Sequence, residues 1–547
     1  MRPSPTAGMV ASRRRGWRSR WTVAVLAAVL LTSGLAMLGA ARRTSVTFDE
    51  ITMVALGARG FNTGRFDLMP HHPPLMQYIY GLPAYLSAPA YPDEKHASVD
   101  DRYEYARRFY GNGNDPERLA LVSRLPAVAF ALFLVLLTFG YARSALGIEA
   151  SALAAGLVAF LPDVLAHGAI AYNDVPGALF YLAAVWGVDR AVRQPSAGRG
   201  AVAGVLIGLS LGTKLSGLVL GPVTLLLLAA EAATRRHDGE WRSQVRRAGM
   251  AALAVLYVTL VVIYRGDLML YEFIFGVVFS ILRVTGPLGS PAYLLGRVSE
   301  TGWWYWYPVA FLLKTPVALH ALIVVALAGW IRGWKQGGGW SSFLSMPLRS
   351  VVIGGGTYAA ILLGSDLAIG FRHALPVLPF VCVIVAVGVE RLWRVSGRWA
   401  RVAVVALVLW YPTSALSYYP YQLSYVSEYV PGRDSGHTAL LDSNLDWGQG
   451  LLELRAWMER SDVQRVKLSY FGSAMPGAYG IAYQPLPSVL DLPAGDTAAN
   501  ELKAAYVVIA ATNLHGVYLQ EDPFASYRDK SPVAILAHTL FVFDADE

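Results

Sequence analysis

Apolar runs about as long as a bilayer is thick recur along this chain, and they limit its possible folds more than any other feature. They lie near residues 21–41, 119–141, 150–167, 175–192, 201–213, 216–233, 248–264, 307–330, 351–365, 374–390 and 402–417. A helix needs about 20 apolar residues to cross the hydrocarbon core. In the bilayer every backbone N–H and C=O must be paired within the segment. The expectation is therefore an all-α polytopic membrane protein with about eleven transmembrane helices. The mean hydropathy of +0.41 agrees. So do the 15% charged residues, against about 25% in soluble domains.

Charge orients the runs. Arg143, then Arg190, Arg193 and Arg199, then Arg235, Arg236, Arg242, Arg246 and Arg247 fall in alternate loops. Arg332, Lys335 and Arg349 follow, then Arg391, Arg394, Arg398 and Arg401. Basic loops stay in the cytoplasm, so the net charge of +8 is a topology signal and implies no nucleic-acid partner. Residues 1–20 form a basic cytoplasmic N-terminus. The first run is longer than the apolar core of a signal peptide and is expected to remain as a span. Residues 201–233 are apolar except for Lys214. One helix of that length would measure about 50 Å at ~1.5 Å per residue, too long for a ~30 Å core. A hairpin with Lys214 at its outer tip solves this. The outer segments are then 42–118, 266–306 and 418–547. The last carries a helical stretch (449–460) and strand-like runs (466–471, 505–511, 534–543), which predicts a small extracytoplasmic α/β C-terminal domain after a 21–417 transmembrane domain. Cys382 is the single cysteine, which excludes an intrachain disulfide.

Several polar groups gather on the outer face. Asp49-Glu50 follows the first span, and a carboxylate near a low-dielectric boundary can serve as a base. The alternative is that Thr47 or Asp49 caps a helix starting near Glu50. His71-His72-Pro73-Pro74-Leu75 gives a rigid entry to the next segment. Its histidines could bind phosphate, ligate a metal or fix the loop. Asn173-Asp174 is a second acidic position or an N-cap. Lys214, Arg372 and His373 could together hold a phosphate, unless Arg372 pairs with Asp366. Gly302-Trp303-Trp304-Tyr305-Trp306-Tyr307-Pro308 reads as an interfacial aromatic belt or as a stacking surface for sugars or isoprenoid chains.

In this order and sidedness, Asp49-Glu50, His72-Pro73-Pro74-Leu75, Asp174 and the Gly212-Thr213-Lys214-Leu215-Ser216-Gly217 tip resemble the GT-C glycosyltransferases. The nearest branch is glycosyltransferase family 39, the protein O-mannosyltransferase and aminoarabinose transferase-like group. Gly302-Trp303-Trp304-Tyr305-Trp306-Tyr307 with Lys314-Thr315-Pro316, Arg372-His373-Ala374-Leu375-Pro376-Val377-Leu378-Pro379 and Asp442-Ser443-Asn444-Leu445-Asp446-Trp447-Gly448 are similar to blocks in bacterial members. The resemblance covers about residues 20–455. It implies inverting transfer of a sugar from a polyprenyl-phosphate donor to an acceptor hydroxyl of a protein, lipid or glycan at the membrane. Asp49 would be the base and Glu50 its support. Asp174 would orient the acceptor or a divalent metal, and Lys214 and Arg372 would stabilise the leaving phosphate. No Gly-rich nucleotide loop is present. The competing class is a transporter or lipid flippase, which would place its polar groups at span centres.

Overall fold

The computed structural model describes residues 5–70, 72–96, 98–235, 237–284, 290–335, 348–493 and 504–545. Helices dominate, and each of the eleven apolar runs falls on a helix or a broken helix. Helix α1 (Pro5–Arg43) leads to an outer group of three: α2 (Glu50–Thr63), α3 (Leu75–Leu86) and α4 (Arg102–Gly111). The bundle continues with α5 (Pro116–Arg143), α6 (Ile148–Ala159), α7 (Pro162–His167), α8 (Asp174–Arg193), α9 (Ala197–Thr213), α10 (Leu220–Thr234) and α11 (Gly239–Ile263). An outer segment holds α12 (Tyr271–Val284) and a hairpin of β1 (Ala292–Leu294) and β2 (Arg297–Ser299). Helices α13 (Trp306–Lys314), α14 (Val317–Gly333), α15 (Leu348–Leu363), α16 (Leu378–Val395) and α17 (Arg398–Leu416) complete the bundle.

Among the described residues, six helices are long and apolar enough to cross a membrane, or seven if α13 and α14 count as one span. The eleven expected crossings are therefore not all single straight helices. Two runs are broken by proline, which lacks an N–H and clashes with the preceding turn. Pro162 separates α6 from α7, and Pro316 follows a 110° bend between α13 and α14.

The expected hairpin at Lys214 is present. Lys214 meets Asp174 at the start of α8, and Arg235, just past α10, donates to the Arg193 carbonyl at the end of α8. Helices α9 and α10 thus follow α8 in opposite directions. At that far end Arg349 Nη2 lies 2.7 Å from Glu231 and Arg193 Nη2 lies 2.5 Å from Asp189, all largely buried.

The C-terminal part contains α18 (Leu451–Arg460) and five strands: β3 (Val466–Ser469), β4 (Tyr483–Pro485), β5 (Tyr506–Ala510), β6 (Ala534–Leu536) and β7 (Leu540–Asp544). The sheet order is β4-β3-β5-β7-β6. Strand β3 is parallel to β4 and β5, and β7 is antiparallel to β5 and β6. The strand-like run at 534–543 is a hairpin, because His538 and Ala537 turn the chain with positive φ. This part does not stand apart from the first outer segment. Met53, Tyr105, Phe109, Tyr470, Val508 and Val542 share one buried apolar cluster. The backbone stitches them as well: Phe48 N–H donates to the Trp447 carbonyl (2.8 Å) and Ser45 N–H to the Gln449 carbonyl (3.1 Å). Helices α2 and α3 cross at Gly57 and Gly81, where a Cβ on Gly57 would lie 2.2 Å from the Gln77 carbonyl oxygen. Only glycine permits that approach.

Candidate active site

The two adjacent acids have opposite fates. Glu50 opens α2 and is wholly buried (0% exposed). Arg124 of α5 grips it with Nε and Nη2, both at 2.7 Å, and the backbone N–H groups of Thr47 and Ala171 donate to it at 2.9 Å each. Arg124 also donates to the carbonyls of Ala41, Thr44 and Ser45. Glu50 therefore fastens the end of α1, the start of α2 and α5 together. It does not line the cavity that Asp49 lines, and its oxygens are taken up by Arg124 and backbone N–H groups. Asp49 points the other way, with its side chain 22% exposed. It makes no capping hydrogen bond to α2. Tyr103 O–H donates to Asp49 Oδ1 at 2.9 Å, and Arg372 Nη2 lies 3.6 Å from Oδ2.

The cations sit beside it. Lys214 occupies the break between α9 and a short 3-10 turn (Leu215–Val219). Its Nζ is 2.5 Å from Asp174 Oδ1 and 3.3 Å from His373 Nδ1. Arg372 follows Phe371 in a 3-10 turn before α16. Its Nη1 is 3.8 Å from Asp174 Oδ2, and its guanidinium lies 4.0 Å above the Trp447 ring, a cation–π geometry. Arg372 thus has Asp49 and Asp174 as carboxylate neighbours, and the alternative pair with Asp366 does not form. Asp174 begins α8, where the positive end of the helix dipole favours a carboxylate. It is buried behind Lys214 and Arg372 and does not line the cavity, so it holds the cations in place.

These groups enclose a cavity of about 820 Å³. Asp49, His72, Lys214, Arg372 and His373 all line it. Its apolar lining includes Leu215, Leu218, Val219, Pro222, Ile361 and Leu367. Two of the expected residues lie elsewhere: Trp303 and Trp304 precede α13 and do not line the cavity, and Trp304 is 75% exposed. An outward-facing ring on that loop suits the interfacial belt, not a stacking site. His71 lies outside the described residues. Among the described residues, no group of three or more His, Cys, Asp or Glu could hold a metal ion.

The cavity also has walls that the sequence did not reveal. Arg102 and Tyr103 come from α4, Arg283 from α12, Tyr172 from the loop before α8, and Phe471 and Tyr518 from the C-terminal part. The Asp442-to-Gly448 block supplies Asp442 and Trp447. Its Asn444 Oδ1 accepts the Phe371 N–H at 2.7 Å, next to Arg372. Buried Lys314 donates to the carbonyls of Asn444 (2.6 Å), Leu423 (2.8 Å) and Tyr425 (3.0 Å). Lys314 is therefore a brace beneath the site. Asp442 takes hydrogen bonds from Tyr518 O–H and from its neighbour's N–H. Burial pushes its carboxyl above the usual range, partly offset by Tyr518 and Arg372.

Asp446 of the same block is buried, and desolvation raises its pKa to about 8. A folded value above the unfolded one means that the stability tied to this carboxyl is fully present below pH ~4, where both states are protonated, and is lost as pH rises toward 8. Stability is expected to fall across that window by about 1.4 kcal/mol per pH unit at the steepest. Asp446→Asn should flatten the profile of melting temperature against pH. An unchanged slope would remove Asp446 as its source.

A multi-pass helical membrane protein with a half-apolar, cation-lined cavity at one end of its bundle is the class these features define. Residues 118–264 match the family model described as dolichyl-phosphate-mannose-protein mannosyltransferase, which bears out the resemblance to GT-C glycosyltransferases of the family 39 type. The matched stretch includes Arg124, Asp174 and Lys214. No curated protein matches the chain. Similar solved structures include ArnT from Cupriavidus metallidurans bound to undecaprenyl phosphate, at 14% identity over 96% of this chain and 98% of that one, with a TM-score of 0.48. The S. cerevisiae protein O-mannosyltransferase Pmt1-Pmt2 complex bound to the sugar donor is 17% identical over 46% of this chain and 34% of that one, with a TM-score of 0.35. Archaeal oligosaccharyltransferase AglB from Archaeoglobus fulgidus, in complex with an inhibitory peptide and a dolichol-phosphate, is 14% identical over 93% and 72%, with a TM-score of 0.44. At such scores these likenesses carry no argument about activity.

Proposed function

We propose that this protein is a membrane glycosyltransferase that moves a sugar from a polyprenyl-phosphate donor to an acceptor hydroxyl at the extracytoplasmic face. One observation carries the reading: Asp49, Lys214 and Arg372 line one cavity together with an apolar set that includes Leu215, Leu218, Val219 and Ile361. A lipid phosphate needs that combination, with apolar lining for its hydrocarbon, cations for its charge and a carboxylate near the reacting sugar. The outer side is supported by charge. The site lies where α8 starts and where α9 turns into α10, whereas the arginine-rich ends of α8 and α10 lie at the far end of the bundle. Positive ends stay in the cytoplasm.

In this mechanism the acceptor hydroxyl gives its proton to Asp49, and its oxygen attacks the anomeric carbon. The bond from that carbon to the phosphate oxygen breaks, and the electron pair leaves with the polyprenyl phosphate. A single displacement inverts the anomeric carbon. Tyr103 orients Asp49 through its hydrogen bond, and Lys214 and Arg372 meet the charge that grows on the phosphate. Asp174 keeps both cations charged and fixed. The C-terminal residues 418–547 close the site from outside.

The test is transfer of label from radiolabelled polyprenyl-phosphate sugars in membranes containing the protein, with mannose and arabinose-type donors in parallel. Lys214→Ala is expected to raise the donor KM about tenfold or more, since a charge-assisted bond is worth roughly 1.5–3 kcal/mol, and to leave the acceptor KM unchanged. An unchanged donor KM would count against the phosphate role.

A further inference from the structure

Part of the cavity wall is an aromatic arc with a carboxylate at each end. Tyr103 donates to Asp49 at one end and Tyr518 donates to Asp442 at the other. Between them the rings form a continuous series. Tyr103 meets Phe48 edge-on at 5.5 Å, Phe48 meets Phe471 at 5.5 Å, and Phe471 stacks on Tyr518 at 5.8 Å with 8° between the planes. All six side chains line the cavity. Three of them, Asp442, Phe471 and Tyr518, belong to the C-terminal part and to no transmembrane helix.

The loop that presents Asp442 is held from several directions. Asp442 has φ 57°, a left-handed conformation that side chains other than Asn and Asp rarely adopt. Its neighbour Asn444 is fixed to Phe371 and, through Lys314, to the end of α13. Trp447, five residues on, carries the Arg372 guanidinium. Asp174 and Asp49, and less strongly Asp442, act on the Arg372 charge. Arg372 shares the cavity with the arc and lies 3.6 Å from Asp49 at its end, so a sugar on a phosphate held by Arg372 would be within reach of the arc. Its hydroxyls can donate to a carboxylate, and its C–H faces can lie on the rings, which is how proteins hold a polar ring with an apolar face.

We infer that the C-terminal part forms the seat for the transferred sugar, with Asp442 accepting hydrogen bonds from its hydroxyls and Tyr518 and Phe471 packing against its ring. This rests on the proposed function and extends it. The membrane domain would hold the lipid phosphate and the base, and the outer domain would choose the sugar.

The test uses the full-length protein in nanodiscs with Asp442→Asn and Tyr518→Phe. Asparagine tolerates the left-handed backbone and still accepts from Tyr518, so the fold is kept while the charge is lost. Three quantities are measured: the KM for the labelled polyprenyl-phosphate sugar, the KM for the acceptor, and the affinity for sugar-free undecaprenyl phosphate. The expected result is a donor KM raised about tenfold or more for Asp442→Asn and several-fold for Tyr518→Phe, with the other two quantities unchanged. An unchanged donor KM overturns the inference. So does a rise confined to the acceptor KM, which would make the arc an acceptor site. Equal weakening of undecaprenyl phosphate would show that Asp442 acts only through Arg372, which also overturns it. If the parent protein transfers no sugar from any donor tried, the proposed function itself falls, a failure separable from the others.

Discussion

Asp49→Asn is expected to leave the protein folded and to lower sugar transfer by about 10²–10⁴-fold, the usual contribution of a general base. Asparagine has the same shape and can still accept the Tyr103 hydrogen bond, so melting temperature and membrane yield should match the parent. The variant also removes a negative charge 3.6 Å from Arg372. Affinity for undecaprenyl phosphate should therefore hold or improve while turnover collapses. Rates measured at saturating donor and acceptor separate these effects. Equal turnover in the two proteins would remove Asp49 as the base. Lost turnover together with lost phosphate affinity would make it a residue of the donor site.

One position later the expectation reverses. Glu50→Ala leaves the Arg124 guanidinium charged, buried and without its carboxylate, together with the Thr47 and Ala171 N–H groups that Glu50 had satisfied. Breaking a buried ion pair from one side costs about 3–5 kcal/mol. That is a large share of the roughly 5–15 kcal/mol that holds a typical protein folded. Poor accumulation in membranes and a melting temperature many degrees lower should follow. Arg124→Ala should do the same, and the double variant should lose less than the sum of the two, because each single change leaves an unpaired charge that the double change removes. A Glu50→Ala protein that melts like the parent yet no longer transfers sugar would contradict this assignment and return Glu50 to the chemistry.

The contrast shows what could be read from the sequence and what could not. Asp49, His72, Lys214, Arg372 and His373 stood out because ionisable side chains are costly near apolar spans, and the structure gathers them on one cavity. The turn at Lys214 followed from the length of the 201–233 run and from the basic clusters that flank both of its ends. Glu50 was misjudged because its partner, Arg124, lies 74 residues on, inside an apolar run, where nothing local marks it. Trp303 and Trp304 stayed open between a belt and a stacking surface because a dense aromatic run has the same composition whether it faces lipid or a ligand. Tyr103 and Tyr518 gave no signal among 29 tyrosines, since only tertiary packing brings each beside a carboxylate. The eleven runs were located, but the sharp bend before α14 depends on how Thr315-Pro316 packs. The short helices of residues 42–118 were read as a loop, since their shared core with the C-terminal part comes from residues hundreds of positions away.

The backbone stitch between Phe48 and Trp447 bears on the order of biosynthesis. Asp49, the proposed base, emerges with the first outer segment, yet the ring beneath Arg372 arrives some four hundred residues later. A nascent chain that has threaded every helix of the bundle into the membrane still lacks Asp442, Trp447, Phe471 and Tyr518 of the cavity wall. Competence would come only after the final segment has been exported and has docked on the first. A ribosome stalled before residue 442 would leave an inserted but silent protein, so catalysis itself would report that export was finished.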